Sequence, residues 1–267
     1  MRRFLLVFWT VVALLGAAAV PAGAITFGQP DGTLHPEVGA LLADYDDASP
    51  GPDVLCTGTL IAPTVFLTAG HCTDFLASEG ISDVWVTFAP AYDEDSAAPG
   101  GLIHGSYVTH PDYGYSGPGG HSDPHDIAVV LLDSPVATTP ARLPTAGLLN
   151  RTDLRSSTFT PVGYGTVREV KTTGPHAFFF DAVRRYARQS FLSLQKSWLT
   201  LNMNPSTGSG GTCYGDSGGP HFLGGVDSNL LVSITISGDA VCRATDTTYR
   251  LDTASARAFL DDFVTLP

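Results

Sequence analysis

The sequence predicts an all-β fold, a barrel or a sandwich, on three observations. Eleven short runs are apolar or alternating, many of them rich in Val, Ile, Thr and aromatic residues. Clusters of Gly, Pro, Asp and Ser separate these runs, and 29 Gly and 19 Pro among 267 residues supply the turns that many short strands need. Only the C-terminal segment stands out with helical periodicity.

In chain order the predicted strands are Val38–Ala43, Thr57–Ala62, Val65–Ala69, Val84–Phe88, Ser106–His110, Ile127–Leu132, Thr158–Tyr164, Phe178–Tyr186, Trp198–Met203, Leu230–Ile236 and Thr248–Leu251. The predicted helix starts at Asp252 or Thr253, either of which can cap it. Ala256, Phe259, Leu260, Phe263 and Val264 then share one face. The Pro- and Thr-rich stretch Ser134–Pro144 reads as a linker between two halves, residues 25–137 and 138–267.

Residues 1–24 read as an export signal. Arg2 and Arg3 precede an uncharged run from Phe4 to Val20, and Ala22-Gly23-Ala24 has the small-x-small form that signal peptidase accepts. Cleavage after Ala24 takes the net charge from −12 to −14. So acidic a chain repels nucleic acid and anionic membrane, and no later segment is apolar enough to span a bilayer. Export also makes disulfides available to Cys56, Cys72, Cys213 and Cys242. Three pairings are possible, and the absence of CxxC spacing argues against zinc on these thiols.

The chemistry begins at Gly215-Asp216-Ser217-Gly218-Gly219-Pro220. A serine hydroxyl attacks only when a base removes its proton, and flanking glycines let a substrate carbonyl reach main-chain N–H groups. The same hexapeptide fits the G-x-S-x-G of α/β-hydrolases, whose partners follow in the order Ser, acid, His. Here His221 alone among the histidines follows Ser217, with no Asp or Glu between them, so that order is unavailable. The candidate base is His71, which follows an apolar strand and adjoins Cys72. The other histidines lack that combination. The candidate acid is Asp126, which opens the apolar run Ile127–Leu132; a carboxylate there can hold one imidazole tautomer. The order His, Asp, Ser is that of the chymotrypsin fold.

At these residues the chain resembles the trypsin-like serine proteases. Leu67–Cys72 is similar to the histidine motif, with Gly70 where alanine is commoner; Asp126–Leu132 is similar to the aspartate motif and Cys213–Pro220 to the serine motif. Gly163-Tyr164-Gly165 resembles the family's Gly-Trp-Gly, and Thr248-Tyr249 its late Val-Tyr segment. The resemblance implies two packed antiparallel six-stranded β-barrels with a C-terminal helix, His71 and Asp126 on the first and Ser217 on the second. It implies disulfides Cys56–Cys72 and Cys213–Cys242. It also implies a secreted endopeptidase working through an acyl-enzyme, with the N–H groups of Gly215 and Ser217 as the oxyanion hole. Partners would be protein or peptide substrates and a protein inhibitor, and no cofactor is expected.

Two further expectations follow from the resemblance. Ile25-Thr26-Phe27-Gly28 resembles the family's mature start, so signal cleavage would free the Ile25 amine to meet Asp216. The primary pocket would include Gly211, Thr212, Ser237, Gly238 and Thr247. Gly211 stands where an aspartate would select Arg or Lys, and Thr247 replaces a residue that is often Gly. Small or medium apolar side chains are therefore expected at the cleaved bond, with Asp239 and Asp246 as possible sources of negative charge. The stretch His121–Asp126 and the acidic Asp93-Glu94-Asp95 read as loops rather than metal sites. Arg184, Arg185 and Arg188 read as a solvated strand face.

Overall fold

The computed structural model describes residues 25–45, 51–93, 101–114, 122–168 and 177–267. The segment read as an export signal (1–24), Glu94, Asp95 and His121 lie outside the described residues. The chain forms two six-stranded antiparallel barrels and a C-terminal helix.

The short β1 (Gln29–Pro30) belongs to the second barrel's sheet, although the chain then builds the first barrel. That barrel contains β2 (Val38–Ala43), β3 (Asp53–Ala62), β4 (Val65–Thr68), β5 (Val84–Thr87), β6 (Ile103–Thr109) and β7 (Ala128–Leu132), closed in the order β2-β3-β4-β7-β6-β5. Between β4 and β5 lies helix α1 (Gly70–Ser78), which the sequence reading did not anticipate. It is short, begins with glycine, and has no side-chain N-cap at Ala69, so the usual start signal is missing.

The second barrel follows with β8 (Thr158–Gly163), β9 (Val167–Arg168), β10 (Phe178–Phe179), β11 (Arg185–Tyr186), β12 (Gln189–Leu194), β13 (Trp198–Asn202), β14 (Pro220–Leu223), β15 (Leu231–Gly238) and β16 (Thr245–Arg250). The ring runs β8-β12-β13-β16-β15-β14 and closes by pairing β14 with β8; β11 and β1 extend it from β8, and β9 pairs with β10. The expected strand Phe178–Tyr186 is thus two pieces, β10 and β11, in different sheets. Helix α2 (Ala254–Asp261) is capped by Thr253, whose Oγ1 accepts from Ala256 N at 3.2 Å. Ala256, Phe259 and Leu260 are buried, in one apolar cluster with Ile127 and Val129 of the first barrel and Phe222, Ile234 and Tyr249 of the second. Among the described residues no helix is long and apolar enough to cross a membrane.

The arginine run departs from expectation. Arg188 is exposed, but Arg184 and Arg185 are buried. Arg184 donates to Asp31 Oδ2 (2.8 Å), to the carbonyls of Val38 (2.8 Å), Phe88 (3.1 Å) and Gly32 (2.9 Å), and to the Tyr164 hydroxyl (3.2 Å). His35 Nδ1 is bonded to the other oxygen of Asp31. Arg185 forms a two-pronged pair with Asp181 at 2.7 and 2.8 Å. A guanidinium can be buried when its planar donors all find oxygens, and the segment between β10 and β11 supplies one that joins elements of both barrels. Removing it leaves Asp31 buried with less compensation. Arg184→Ala is expected to cost about 3–5 kcal/mol, read as a lower urea midpoint at unchanged slope.

Candidate active site

His71 is the second residue of α1, and Asp126 lies two residues before β7. The antiparallel pairing of β4 with β7 sets Thr68 opposite Ala128, so the chain leaving β4 and the chain entering β7 meet at one end of the barrel. Asp126 Oδ1 accepts from the His71 backbone N–H at 2.8 Å, and Asp126 Oδ2 lies 2.9 Å from His71 Nδ1. The backbone contact comes from the first turn of a helix, where N–H groups have no partner of their own and the helix dipole favours an anion. The carboxylate is largely buried, while the imidazole is about one-third exposed (31%). Gly70 allows this approach: a Cβ there would stand 3.0 Å from Ile127 N, 3.1 Å from Tyr113 Cδ2 and 3.3 Å from Asp126 Cα.

Ser217 lies on the loop before β14. Its carbonyl accepts from Thr57 N at 2.9 Å, and Thr57 Oγ1 donates to the Gly215 carbonyl at 3.0 Å. A Cβ on Gly218 would stand 2.6 Å from Ala69 N and would overlap Thr68, and its φ is +77°. The serine loop therefore abuts the residues leading into His71. The Ser217 hydroxyl makes no hydrogen bond to His71 among the described residues. The N–H groups of Gly215 and Ser217 likewise have no partner among the described residues, and Gly215 holds φ +92°. Thr57 was not singled out from the sequence; beyond its position beside Cys56, nothing there marks it.

Asp216 is fully buried. Its oxygens accept from Gly165 N and Cys213 N, each at 2.8 Å. Any Cβ at Gly163 or Gly165 would overlap this carboxylate, which accounts for both glycines of the Gly-Tyr-Gly segment. Ile25 is also fully buried, with φ +56°. Thr26 forms an antiparallel bridge with Gly211, with N–H to carbonyl bonds of 2.6 and 2.9 Å. No bond joins Ile25 to Asp216 among the described residues. Burial without a cationic partner raises the Asp216 carboxyl to about 7.

A cavity of about 230 Å³ opens beside Ser217, lined in part by Thr212, Ser237, Gly238 and Asp239. Gly211 and Thr247 do not line it. A Cβ on Gly211 would point at Met203 and Gln189. Asp246 is fully buried behind it, taken by His221 Nε2 (2.9 Å) and Gln189 Nε2 (2.8 Å). Asp239 accepts from the backbone N–H groups of Arg243, Ala244 and Thr245. Burial alone would raise its carboxyl; these amides outweigh that and hold it below the usual range. A larger cavity, about 1050 Å³, lies against α2 and contains neither His71 nor Ser217.

Disulfides join Cys56 to Cys72 and Cys213 to Cys242. The first ties β3 to α1 beside His71, and the second ties the serine loop to the far wall of the small cavity.

The Trypsin family profile matches residues 44–258. The chain belongs to the trypsin family. Among curated relatives, this trypsin-family protein is 32% identical to brachyurin of Leptuca pugilator over 74% of its own length and 84% of the relative's. It is 28% identical to kallikrein 1-related peptidase b21 of Mus musculus, over 70% and 71% respectively. A solved structure of HL collagenase shares the fold, with TM-score 0.64 and 18% identity over 92% of this chain and all of that one. The protein is a serine-type endopeptidase acting on protein substrates.

One pH dependence follows from Asp216. An unfolded aspartate loses its proton near pH 3.9, whereas the folded chain keeps this one to about 7. Between those values the folded state binds more protons, so stability contributed by the protonated carboxyl is lost as pH rises. In the uncleaved Ser217→Ala chain, urea unfolding across that window should show a decline that Asp216→Asn flattens.

Proposed function

We propose that Ser217 is the nucleophile, His71 its general base, and Asp126 the group that orients His71. The observation that carries this reading is the double hold of Asp126 on His71, through the backbone N–H (2.8 Å) and through Nδ1 (2.9 Å). With Nδ1–H donated to the carboxylate, the free lone pair lies on Nε2, the ring nitrogen left for the serine proton. Rotation of the Ser217 hydroxyl toward Nε2 completes the relay, and such contacts tighten when substrate binds.

In the reaction the Ser217 oxygen bonds to the peptide carbonyl carbon as His71 takes the hydroxyl proton. The unpartnered N–H groups of Gly215 and Ser217 receive the developing oxyanion. Collapse expels the amine, which takes the proton from His71 and leaves an acyl-enzyme. Water, deprotonated by His71, then releases the acid and restores Ser217.

Export and cleavage after Ala24 would free the Ile25 amine. The burial of Ile25, the Thr26–Gly211 bridge and the raised Asp216 carboxyl all support docking of that amine on Asp216. Two disulfides fit an oxidising compartment. The net charge of −12 disfavours nucleic acid and anionic membrane as partners. The cleft would also accept a protein inhibitor that presents a substrate-like strand. The small cavity lacks a free carboxylate, since Asp239 is committed to three amides and Asp246 lies behind the wall. Small or medium apolar side chains suit it better than Arg or Lys.

Ser217→Ala should abolish labelling by a fluorophosphonate. Asp126→Asn should lower kcat about 10⁴-fold, the loss typical of that change in a Ser-His-Asp triad; full labelling of Ser217→Ala would refute the nucleophile. Mass-spectrometric mapping of cuts in a peptide library should place small apolar residues before the cut bond, and rapid cleavage after Arg would overturn the pocket reading. Sequencing of the secreted enzyme should begin at Ile25.

A further inference from the structure

We propose that Thr57 is a positioning residue for the oxyanion hole, acting through a side-chain hydroxyl that fixes the Gly215 carbonyl. The role rests on the nucleophile and the hole proposed above. Gly215 holds φ +92° and has no side chain, so packing alone does not set its torsions. Its N–H serves the reaction only while it converges with the Ser217 N–H on one oxygen.

Thr57 belongs to β3 of the first barrel and is fully buried. Its N–H donates to the Ser217 carbonyl at 2.9 Å, and its Oγ1 donates to the Gly215 carbonyl at 3.0 Å. One residue thus holds the carbonyls of both proposed oxyanion donors. A third contact sets the direction of the hydroxyl. Tyr164 N–H donates to Thr57 Oγ1 at 3.1 Å, so the single hydroxyl proton goes to Gly215.

Thr57 is itself fixed from the histidine side. Thr68 Oγ1 donates to the Thr57 carbonyl at 2.8 Å, three residues before His71. Cys56 precedes Thr57 and is bridged to Cys72, the residue after His71. The same stretch that presents His71 therefore sets the serine loop. Glycines leave room for this hub. A Cβ on Gly218 would stand 2.6 Å from the Thr57 carbonyl oxygen, one on Gly219 3.2 Å from Thr57 Cγ2, and one on Gly163 3.3 Å from Thr57 Oγ1.

The bond to Ser217 comes from the main chain and survives any substitution except proline. The bond to Gly215 requires the hydroxyl. Thr57→Val keeps the shape but leaves the Gly215 carbonyl and the buried Tyr164 N–H without this partner. Gly215 is then free to change φ and ψ together, which turns its N–H away from the oxyanion. Outright loss of one donor typically costs about 100- to 1000-fold in rate, and a displaced donor costs less.

Steady-state kinetics of the mature enzyme on a peptide amide test the role. Thr57→Val should lower kcat about 10- to 100-fold and change KM by less than about twofold. It should weaken a peptide aldehyde, which binds as a tetrahedral adduct with its oxygen in the hole, by a similar factor. Thr57→Ser should keep both values near wild type. If Thr57→Val does not fold, Thr57→Ala takes its place, because the Ala and Ser variants lose the same methyl group and differ only in the hydroxyl. Unchanged kcat without the hydroxyl, or equal losses in the Ser and Ala variants, overturns the proposal. A fall in kcat with unchanged aldehyde affinity also overturns it, since the hole is then intact. Loss of activity in Ser217→Ala beside full activity in Thr57→Val refutes this role alone. Activity retained in Ser217→Ala refutes the nucleophile, and this role with it.

Discussion

Everything in this enzyme depends on the seam between two closed barrels. A closed barrel has no free strand edge, so neither can recruit the other by continuing a sheet. Apart from β1, which pairs with β11 beside the second ring, the join is made by loops and side chains: Thr57 bonded to the carbonyls of Ser217 and Gly215, Tyr164 N bonded to Thr57 Oγ1, and Gly218 pressed against Ala69. Because Ser217 and His71 lie on opposite sides of that seam, their separation is a packing quantity. Glycine at 218 is required twice, by its left-handed φ and by lack of room for a methyl group.

Two of the buried carboxyls, Asp31 and Asp216, are treated differently. Asp31 has a guanidinium and an imidazole, and with them its carboxyl lies below the ordinary range although burial alone would raise it. Asp216 has two backbone amides and no bonded cation, Arg185 acting on it only through space, and burial raises its carboxyl. Backbone dipoles lower the cost of burying a carboxylate without cancelling it. The first carboxylate is a finished structural bolt, and the second carboxyl has no ion-pair partner among the described residues.

Strands with strong alternation or dense β-branching were legible in the sequence: Val38–Ala43 is β2 to the residue, and β4, β5, β8 and β13 differ from expectation by one residue at an end. What escaped had weak local signals. Strand β14 starts at a proline directly after the serine loop, and β12 alternates polar and apolar residues only loosely. Helix α1 takes its start from Asp126, far away in the chain, rather than from a local cap. The contact of His71 with Asp126 was legible because strand pairing brings their motifs together. The cavity wall was only half legible: Thr212, Ser237 and Gly238 line it, whereas Gly211 and Thr247 do not, because the direction a residue faces in a bulged β15–β16 ladder depends on a register that spacing alone does not reveal. Burial of Arg184 was illegible for a similar reason, since its five oxygens come from four separate stretches of chain.

The left-handed φ at Ile25 has a consequence for the direction of the maturation proposed above. That torsion is defined by the carbonyl of the preceding residue, and for a β-branched side chain it carries a steric cost of about 1–2 kcal/mol. If the bond before Ile25 is hydrolysed, the torsion loses its steric meaning and the cost vanishes with it. Resealing the bond would have to reinstate the crowding, so the fold itself tilts processing toward completion, like a latch that springs once and does not reset.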